Sequence, residues 1–498
     1  MNHLLVVFWI LFSPLIGLFL LLFVPKDKKR HIRIIGVSTA FFPLIGVLPI
    51  WWGQGTAWSQ WDVSIPWLNL GKWTLFGEGV YRIGFDFGLD GISFLMVALT
   101  ALLSAVAAIA SLVIRSEVKG FFLLFLLLET SMLGVFLANN ALLFFLFFEF
   151  TLVGTFFLIG KWGGFDKEKA AYRFLIYNGL GSAFLLLVVV ALFAGTGTVR
   201  FDELQFFLGD ETYVSDKMTG WLLVAIFLAF GLKLPIVGLH RWVLSVHVEA
   251  PPSVVILHAG VLLKIGAYGL YRFGVELFPT SFSSLQLVLV VWGVVNFLLG
   301  AFAALVQTEL RRMLAYASIS HMGLVLMGIG AFNEAGLQGA MYQVVSHSLL
   351  AAIFFFIIGV LEEREKGTSF RQLSGLMKTT PKLATCFFIA GLASLGLPGL
   401  SGFISELMTF IGVFDPYPMI GVLGIGGILL TVVYMIRAIV HILFVHNEST
   451  DQSRYRDMNR LELLSLGSVT VAVIILGVYP AVVLQWINDP IQQLLASL

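Results

Sequence analysis

Cysteine is nearly absent from this chain, with Cys386 alone among 498 residues. One thiol excludes a disulfide framework and any iron–sulfur cluster ligated by this chain by itself, since such clusters draw on several thiolates. Charge is scarce as well: Asp, Glu, Lys and Arg make up 12%, against roughly a quarter in soluble globular proteins, and the net charge is +1. No nucleic-acid partner is expected. No glycine-rich dinucleotide fingerprint follows a strand, so neither NAD nor flavin has a visible site. His240 and His247 lie seven apart without a cysteine or carboxylate cluster, so no metal site is expected. A cleavable leader is not expected either: residues 4–24 are apolar for a full span, lack basic residues before them and end at Lys26-Asp-Lys-Lys-Arg30.

What fills the chain is apolar sequence. Hydrophobic residues make up 59% and mean hydropathy is +0.95, which places the chain among polytopic all-α membrane proteins. Windows of about 20 residues place spans near 4–24, 33–51, 89–114, 120–138, 141–160, 172–194, 220–239, 253–272, 285–307, 312–331, 338–361, 383–412, 417–445 and 462–485. That makes about fourteen transmembrane helices.

Basic residues test the phase of this assignment, because alternate loops should be rich in Lys and Arg. Lys26, Lys28, Lys29, Arg30 and Arg33, then Arg115 and Lys119, then Lys161, Lys167, Lys169 and Arg173 occupy the first three odd-to-even loops. Arg241, then Arg311 and Arg312, then Arg364, Lys366, Arg371, Lys378 and Lys382, then Arg454, Arg456 and Arg460 continue the series. The opposite loops hold Lys72, Arg82, Arg200, Lys217 and Arg272. A multi-pass protein of the cell inner (plasma) membrane is expected, with charged loops in the cytoplasm and both termini outside. The outer segments 52–88 and 195–219, with acids such as Asp202, Glu203, Asp210, Glu211 and Asp216, read as interfacial caps or short hairpins.

Two spans are interrupted. Lys233 stands two residues before Pro235 in an otherwise apolar span, and an ammonium at mid-membrane depth costs about 2.5–3.5 kcal/mol on insertion scales. The other break carries Gly396, Pro398, Gly399 and Gly402, with Glu406 following inside the membrane. These are the seventh and twelfth spans. Five is odd, so the two enter the membrane from opposite sides, the footprint of an inverted repeat. The expected organisation is residues 1–114 (helices 1–3), 120–272 (helices 4–8), 285–445 (helices 9–13) and 462–498 (helix 14 and a tail). Broken membrane helices are where transporters place ion sites; a snorkelling lysine at a helix end is the plainer alternative.

Other ionisable groups inside spans are Glu129, Glu149, His258, Lys264, His321, His347, Arg437 and His441. Glu149 has no neutralising neighbour in sequence, and Lys233 is its natural partner across helices. Such a pair can be a proton switch or a fixed ion pair joining two helices. Imidazoles donate at one nitrogen and accept at the other, so His321 and His347 suit a proton relay, or a hydrogen-bonded bridge between helices. Glu149, Lys233, Lys264, His321, His347 and Glu406 together form the candidate lateral chain.

Several runs resemble a known family. Leu128-Glu-Thr-Ser-Met-Leu-Gly-Val-Phe through Phe148-Glu149, Phe157-Leu-Ile-Gly-Lys-Trp-Gly-Gly164, His247-Val-Glu-Ala-Pro251, Ala259-Gly-Val-Leu-Leu-Lys264 and Gln307-Thr-Glu-Leu-Arg-Arg-Met to His321-Met-Gly resemble the subunit M family of proton-pumping NADH–quinone oxidoreductase, respiratory complex I. The resemblance covers nearly the whole chain. It implies an antiporter-like fold with inverted five-helix repeats and a role in coupling quinone reduction to proton pumping, as an enzyme subunit without redox chemistry of its own. It also implies further antiporter-like and other membrane-arm subunits as partners, with FMN, iron–sulfur clusters and quinone in partner subunits and no cofactor in this chain. By motif, Glu149 and Lys233 resemble the family's charge-switch pair, Lys264 its central lysine, His321 and His347 its connecting histidines, and Glu406 its terminal acid. Two departures stand out. The family's Trp-Leu-Pro-Asp-Ala-His reads Trp242-Val-Leu-Ser-Val-His247 here, which puts the proton inlet in doubt; Asn140 stands where an Asp is common, so a charge role there is expected to be lost. A subunit of a multisubunit cation/proton antiporter is the alternative that shares these motifs.

Overall fold

The computed structural model describes the chain except residues 1–2, 54–57, 74–78, 209–213, 365–366, 446–455 and 497–498. Asp210, Glu211, Lys366 and Arg454 therefore lie outside the described residues. In a bilayer every backbone N–H and C=O must be satisfied within the chain, and long apolar helices are how this sequence does it. The N-terminal part comprises α1 (His3–Phe23), α2 (Lys29–Ala40), α3 (Phe42–Trp52), an antiparallel hairpin β1 (Val63–Trp73) and β2 (Gly79–Phe87), and α4 (Gly91–Ala110). The hairpin agrees with a reading of 52–88 as containing a short hairpin.

Next come α5 (Val118–Leu137), α6 (Ala141–Trp162), α7 (Lys167–Thr196), the short α8 (Phe201–Leu208), α9 (Asp216–Lys233), α10 (Arg241–Glu249) and α11 (Pro252–Glu276). After them run α12 (Gln286–Leu305), α13 (Leu310–Ala331), α14 (Glu334–Glu363), α15 (Pro381–Ser394), α16 (Ser401–Phe414) and α17 (Pro418–Ile439). The chain closes with α18 (Arg460–Val478) and α19 (Ala481–Ala496). Among the described residues, 12 helical stretches are long and apolar enough to cross a membrane. The two interrupted spans fall outside that number: α15 and α16 are 14 residues each, and α9, which precedes α10, is 18 residues long but carries Asp216, Lys217 and Lys233.

Helix lengths repeat. α5, α6 and α7 have 20, 22 and 30 residues, and α12, α13 and α14 have 20, 22 and 30. A broken helix follows each set of three, then a helix interrupted or closed by π-turns: His258–Leu262 and Leu270–Glu276 in α11, and Val440–Phe444 after α17. The presumed C-terminal tail is a helix. α19 turns back over the N-terminus of α4, so close that a Cβ on Gly91 would lie 1.7 Å from the Trp486 carbonyl oxygen.

Burial sorts the helices. α4, α11, α13 and α14 are almost wholly enclosed, whereas α12 and α17 keep rows of exposed Leu, Val, Ile and Phe facing outward. The basic loops gather on one face: Lys29 donates to Arg115 O at 3.2 Å, Arg33 to Ile114 O at 2.8 Å, and Lys119 to Val24 O at 2.9 Å. Arg311 binds Glu362 and Arg364 binds Glu462 on that face too. The hairpin, α8 and α19 cover the other.

Candidate functional site

Both breaks carry the string Leu-Xaa-Leu-Pro, as Leu232-Lys-Leu-Pro235 and Leu395-Gly-Leu-Pro398. Proline removes a donor and ends each first half-helix. At the first break the freed backbone is held by side chains. Val237 N–H donates to Asn296 Oδ1 at 2.5 Å, Trp242 Nε1 to Leu232 O at 3.1 Å and Trp292 Nε1 to Val237 O at 3.3 Å; Asn296 in turn donates to Ile319 O at 2.8 Å. At the second, no side chain among the described residues bonds the backbone of residues 395–400, and Gly396 and Gly399 adopt φ values of 75° and 92°, a region glycine alone enters cheaply.

Lys233 is the last residue of α9 and is buried. Its ammonium is enclosed by protein and does not reach out to solvent, which counts against the snorkelling alternative. Its ammonium does not form the expected ion pair with Glu149. It lies 4.4 Å from the ring centroid of Phe148 and 6.0 Å from that of Phe174, with no hydrogen-bond partner among the described residues. The quadrupole of a ring face holds a cation without neutralising it. Glu149, one residue beyond Phe148, remains near enough to act on Lys233 through its charge, while its buried Oε1 also lacks a partner. The two are neighbours held apart.

Beyond Phe174 the chain continues through two histidines that spacing alone did not connect. His258 stacks edge-on against Phe174 and Trp242, and its Nδ1 lies 3.1 Å from His247 Nε2. His240, the other member of the seven-residue pair, instead accepts from Gly238 N–H at 3.3 Å. The outer nitrogens, His247 Nδ1 and His258 Nε2, are buried and have no hydrogen-bond partner among the described residues, leaving each ring a site for proton exchange. The π-turn beginning at His258 rotates α11, an effect no residue count conveys.

Lys264 is fully buried at the centre. Its Nζ donates to Ala259 O at 2.8 Å and lies 2.7 Å from His347 Nδ1. An ammonium donating to a neutral imidazole and an amine accepting from an imidazole N–H share that geometry, so a proton can change owner with no heavy atom moving. His321 stands edge-on to His347 at 5.4 Å, its Nε2 without a hydrogen-bond partner among the described residues. From there hydroxyls lead onward: Ser346 Oγ is 2.8 Å from Ser401 Oγ, and Ser405 Oγ binds Gln343 and accompanies Glu406 on α16. Glu406 folds back over the break: a Cβ on Gly396 would lie 2.5 Å from its Oε2, and Tyr434 of α17 is within reach of its charge. The structure thus brings together Lys264, His347 and His321 directly. Glu149 and Lys233 form one flank and Glu406 the other.

Three further groups bear on the expectations. Asn140 caps α6 by accepting from Leu143 N–H at 2.6 Å, and its Nδ2 donates to Asp86 Oδ2 at 2.8 Å. A carboxylate, Asp86 of β2, therefore lies directly against Asn140, beside Arg200. Ser245, where the family carries an acid, accepts from Arg173 at 3.0 Å and lines a cavity of about 320 Å³ on the basic-loop face with Asp166, Glu249 and Arg312. An opening toward that face exists without the missing Pro and Asp. Glu129 is fully buried, neither oxygen in a well-formed hydrogen bond, with Ser104 the polar group beside it.

Comparison with known proteins agrees with this architecture. Residues 138–431 match the family profile "NADH:quinone oxidoreductase/Mrp antiporter, TM". NADH-quinone oxidoreductase subunit M of Rickettsia felis is 32% identical, over 98% of this chain and 98% of its own. A chain of respiratory complex I from Thermus thermophilus with bound NADH aligns with a TM-score of 0.87 at 26% identity, over 98% of each chain. A chain of the Mrp complex from Dietzia sp. DQ12-45-1b aligns at 0.79 and 23% identity over 99% of each, a likeness of fold. With a matching family profile and full-length similarity, this chain belongs to the NADH:quinone oxidoreductase/Mrp antiporter family, alongside the M subunits of NADH-quinone oxidoreductase.

Proposed function

We propose that this chain is a proton-translocating membrane-arm subunit of an NADH–quinone oxidoreductase, moving protons along the buried chain Glu149, Lys233, Lys264, His347, His321 and Glu406 as quinone reduction proceeds in partner subunits. FMN, iron–sulfur clusters and quinone would reside in those partners, and further antiporter-like subunits would adjoin the exposed apolar faces. The carrying observation is the 2.7 Å contact between Lys264 Nζ and His347 Nδ1 inside an almost wholly buried helix pair.

The two sets of 20, 22 and 30 residues support reading residues 120–272 and 285–445 as inverted half-channels. The gathered basic loops support a cytoplasmic location for that face, in a plasma membrane with both termini outside. A perturbation arriving at Glu149 changes the field on Lys233, which has no tight counter-ion to resist it. Lys233 then acts on His258 and His247, and Lys264 passes its proton to His347. His321 and the Ser346–Ser401 hydroxyls carry it toward Glu406, and Glu406 releases it.

Replacing Lys233 by Ala should abolish most coupled pumping in inverted membrane vesicles while the complex assembles and reduces quinone when uncoupled. Unaltered pumping in an assembled variant overturns the assignment. The antiporter reading draws on the same residues; full-length similarity to the M subunit favours the oxidoreductase. Purifying the native complex decides between them, since flavin and iron–sulfur subunits accompany the chain only in the oxidoreductase.

A further inference from the structure

The chain of groups that ends at Glu406 leaves the far end of α11 unused, although that end holds a cluster of three partly buried charges, Asp90, Arg272 and Glu276. Two turns beyond Lys264, Arg272 donates from NH1 to both oxygens of Glu276 at 2.8 Å, from NH2 to Asp90, and from Nε to Tyr268 Oη at 3.0 Å. Tyr268 sits one turn beyond Lys264 on the same helix, fully buried with its ring against Phe136 and Phe144. Asp90 is fixed as the N-cap of α4, accepting from Ser93 N–H at 2.7 Å. Asp90 and Glu276 also line a cavity of about 660 Å³ on the hairpin face, whose wall includes Asp216 and Asp489.

We propose that this cluster is a second outward proton exit, running from Lys264 through Tyr268 to Glu276 and Asp90, with Arg272 as its latch. The inference rests on the pumping function proposed above. Tyr268 Oη spends one lone pair on Arg272 Nε–H, which leaves a second lone pair to accept a proton and its own hydrogen to donate. In the transfer, the Lys264 ammonium loses an N–H proton, water spans the one-turn gap, the hydroxyl exchanges one O–H bond for another, and a carboxylate gains the proton. No electrons move, and total charge is unchanged. Arg272 holds both carboxylates by charge-assisted bonds, so a proton arriving on one removes half of its electrostatic grip and frees that acid to turn into the cavity. With neither acid protonated, both carboxylates stay bound to the guanidinium, so no freed acid carries the proton across between the cavity and Tyr268.

Tyr268 and Glu276 are the positions to test, in the assembled complex in inverted vesicles. Tyr268→Phe and Glu276→Gln should each lower this subunit's share of the protons pumped per electron about twofold, as one of two exits closes, with uncoupled quinone reduction unchanged. Both should also flatten the dependence of pumping on lumenal pH, which a packing defect would not alter. Wild-type ratios and wild-type pH dependence in both variants overturn the exit. If Tyr268→Phe fails to assemble, Glu276→Gln, at the rim of the cavity, decides by itself. Lys264→Ala separates the two claims: normal pumping in that variant overturns the pumping function, whereas lost pumping there with normal ratios in the other two overturns the exit only.

Discussion

At the residue scale, the informative positions are those where a charge sits beside something other than its expected partner. The sequence made Lys233 and Glu149 conspicuous because each is an ionisable group in an apolar run. It could not show that Phe148 intervenes, since a residue adjacent in sequence projects about 100° around the helix. Lys264 and His347 were both legible as buried polar groups, and the structure joins them. His247 and His258 were visible singly but not as a pair, because their contact depends on the turn between α10 and α11. Asn140 gives a test at this scale. Asn140→Asp would set a second carboxylate against Asp86 and remove the donor that now binds it. A loss of about 1–3 kcal/mol is expected, read as a lower thermal midpoint of the assembled complex; an unchanged midpoint would mean that Arg200 absorbs both charges.

At the scale of elements, both broken helices were readable from Pro and Gly, as were most spans from hydropathy. The split of residues 33–51 into α2 and α3, the π-turns and α19 were not readable, because apolar periodicity carries no record of how a helix end is capped or where a turn widens. Asn296→Ala should cost about 1–3 kcal/mol for each backbone group it orphans, Val237 N–H and Ile319 O, and should shorten hydrogen-exchange protection at residues 234–240. Gly396→Ala addresses the other break. Its left-handed φ costs a side chain about 1–2 kcal/mol, and the new methyl would displace the Glu406 carboxylate. Coupled pumping should fall with assembly retained, and normal pumping would show that Glu406 works from another position.

At the scale of the whole molecule, topology and pH response can be checked without touching the conducting chain. Cys386 is buried, so the native chain is close to a cysteine-free background for labelling. Lys167→Cys should react with an impermeant maleimide in inverted vesicles, and Asp216→Cys only from the other side; the reverse pattern would invert the proposed orientation. On the hairpin face, partial desolvation of the Asp62 carboxyl where it lies beside Gly88, on an otherwise exposed residue, pushes it up to about 6, with Arg200 opposing the rise. The folded form thus keeps a proton that the unfolded chain releases near pH 4, so this contribution is complete at low pH and disappears as pH rises through about 6. Hairpin protection should weaken over that window in the native protein but not in Asp62→Asn, and a pH-independent native hairpin would exclude the effect.

The unequal treatment of the two breaks has a mechanical consequence. Asn296, Trp242 and Trp292 clamp the first one from outside, whereas the second is spanned by its own backbone and two left-handed glycines. Two halves whose first three helices match in length therefore differ in stiffness at their breaks. Any stroke that accompanies turnover is concentrated in the compliant half beside Glu406, while the rigid half serves as its anvil.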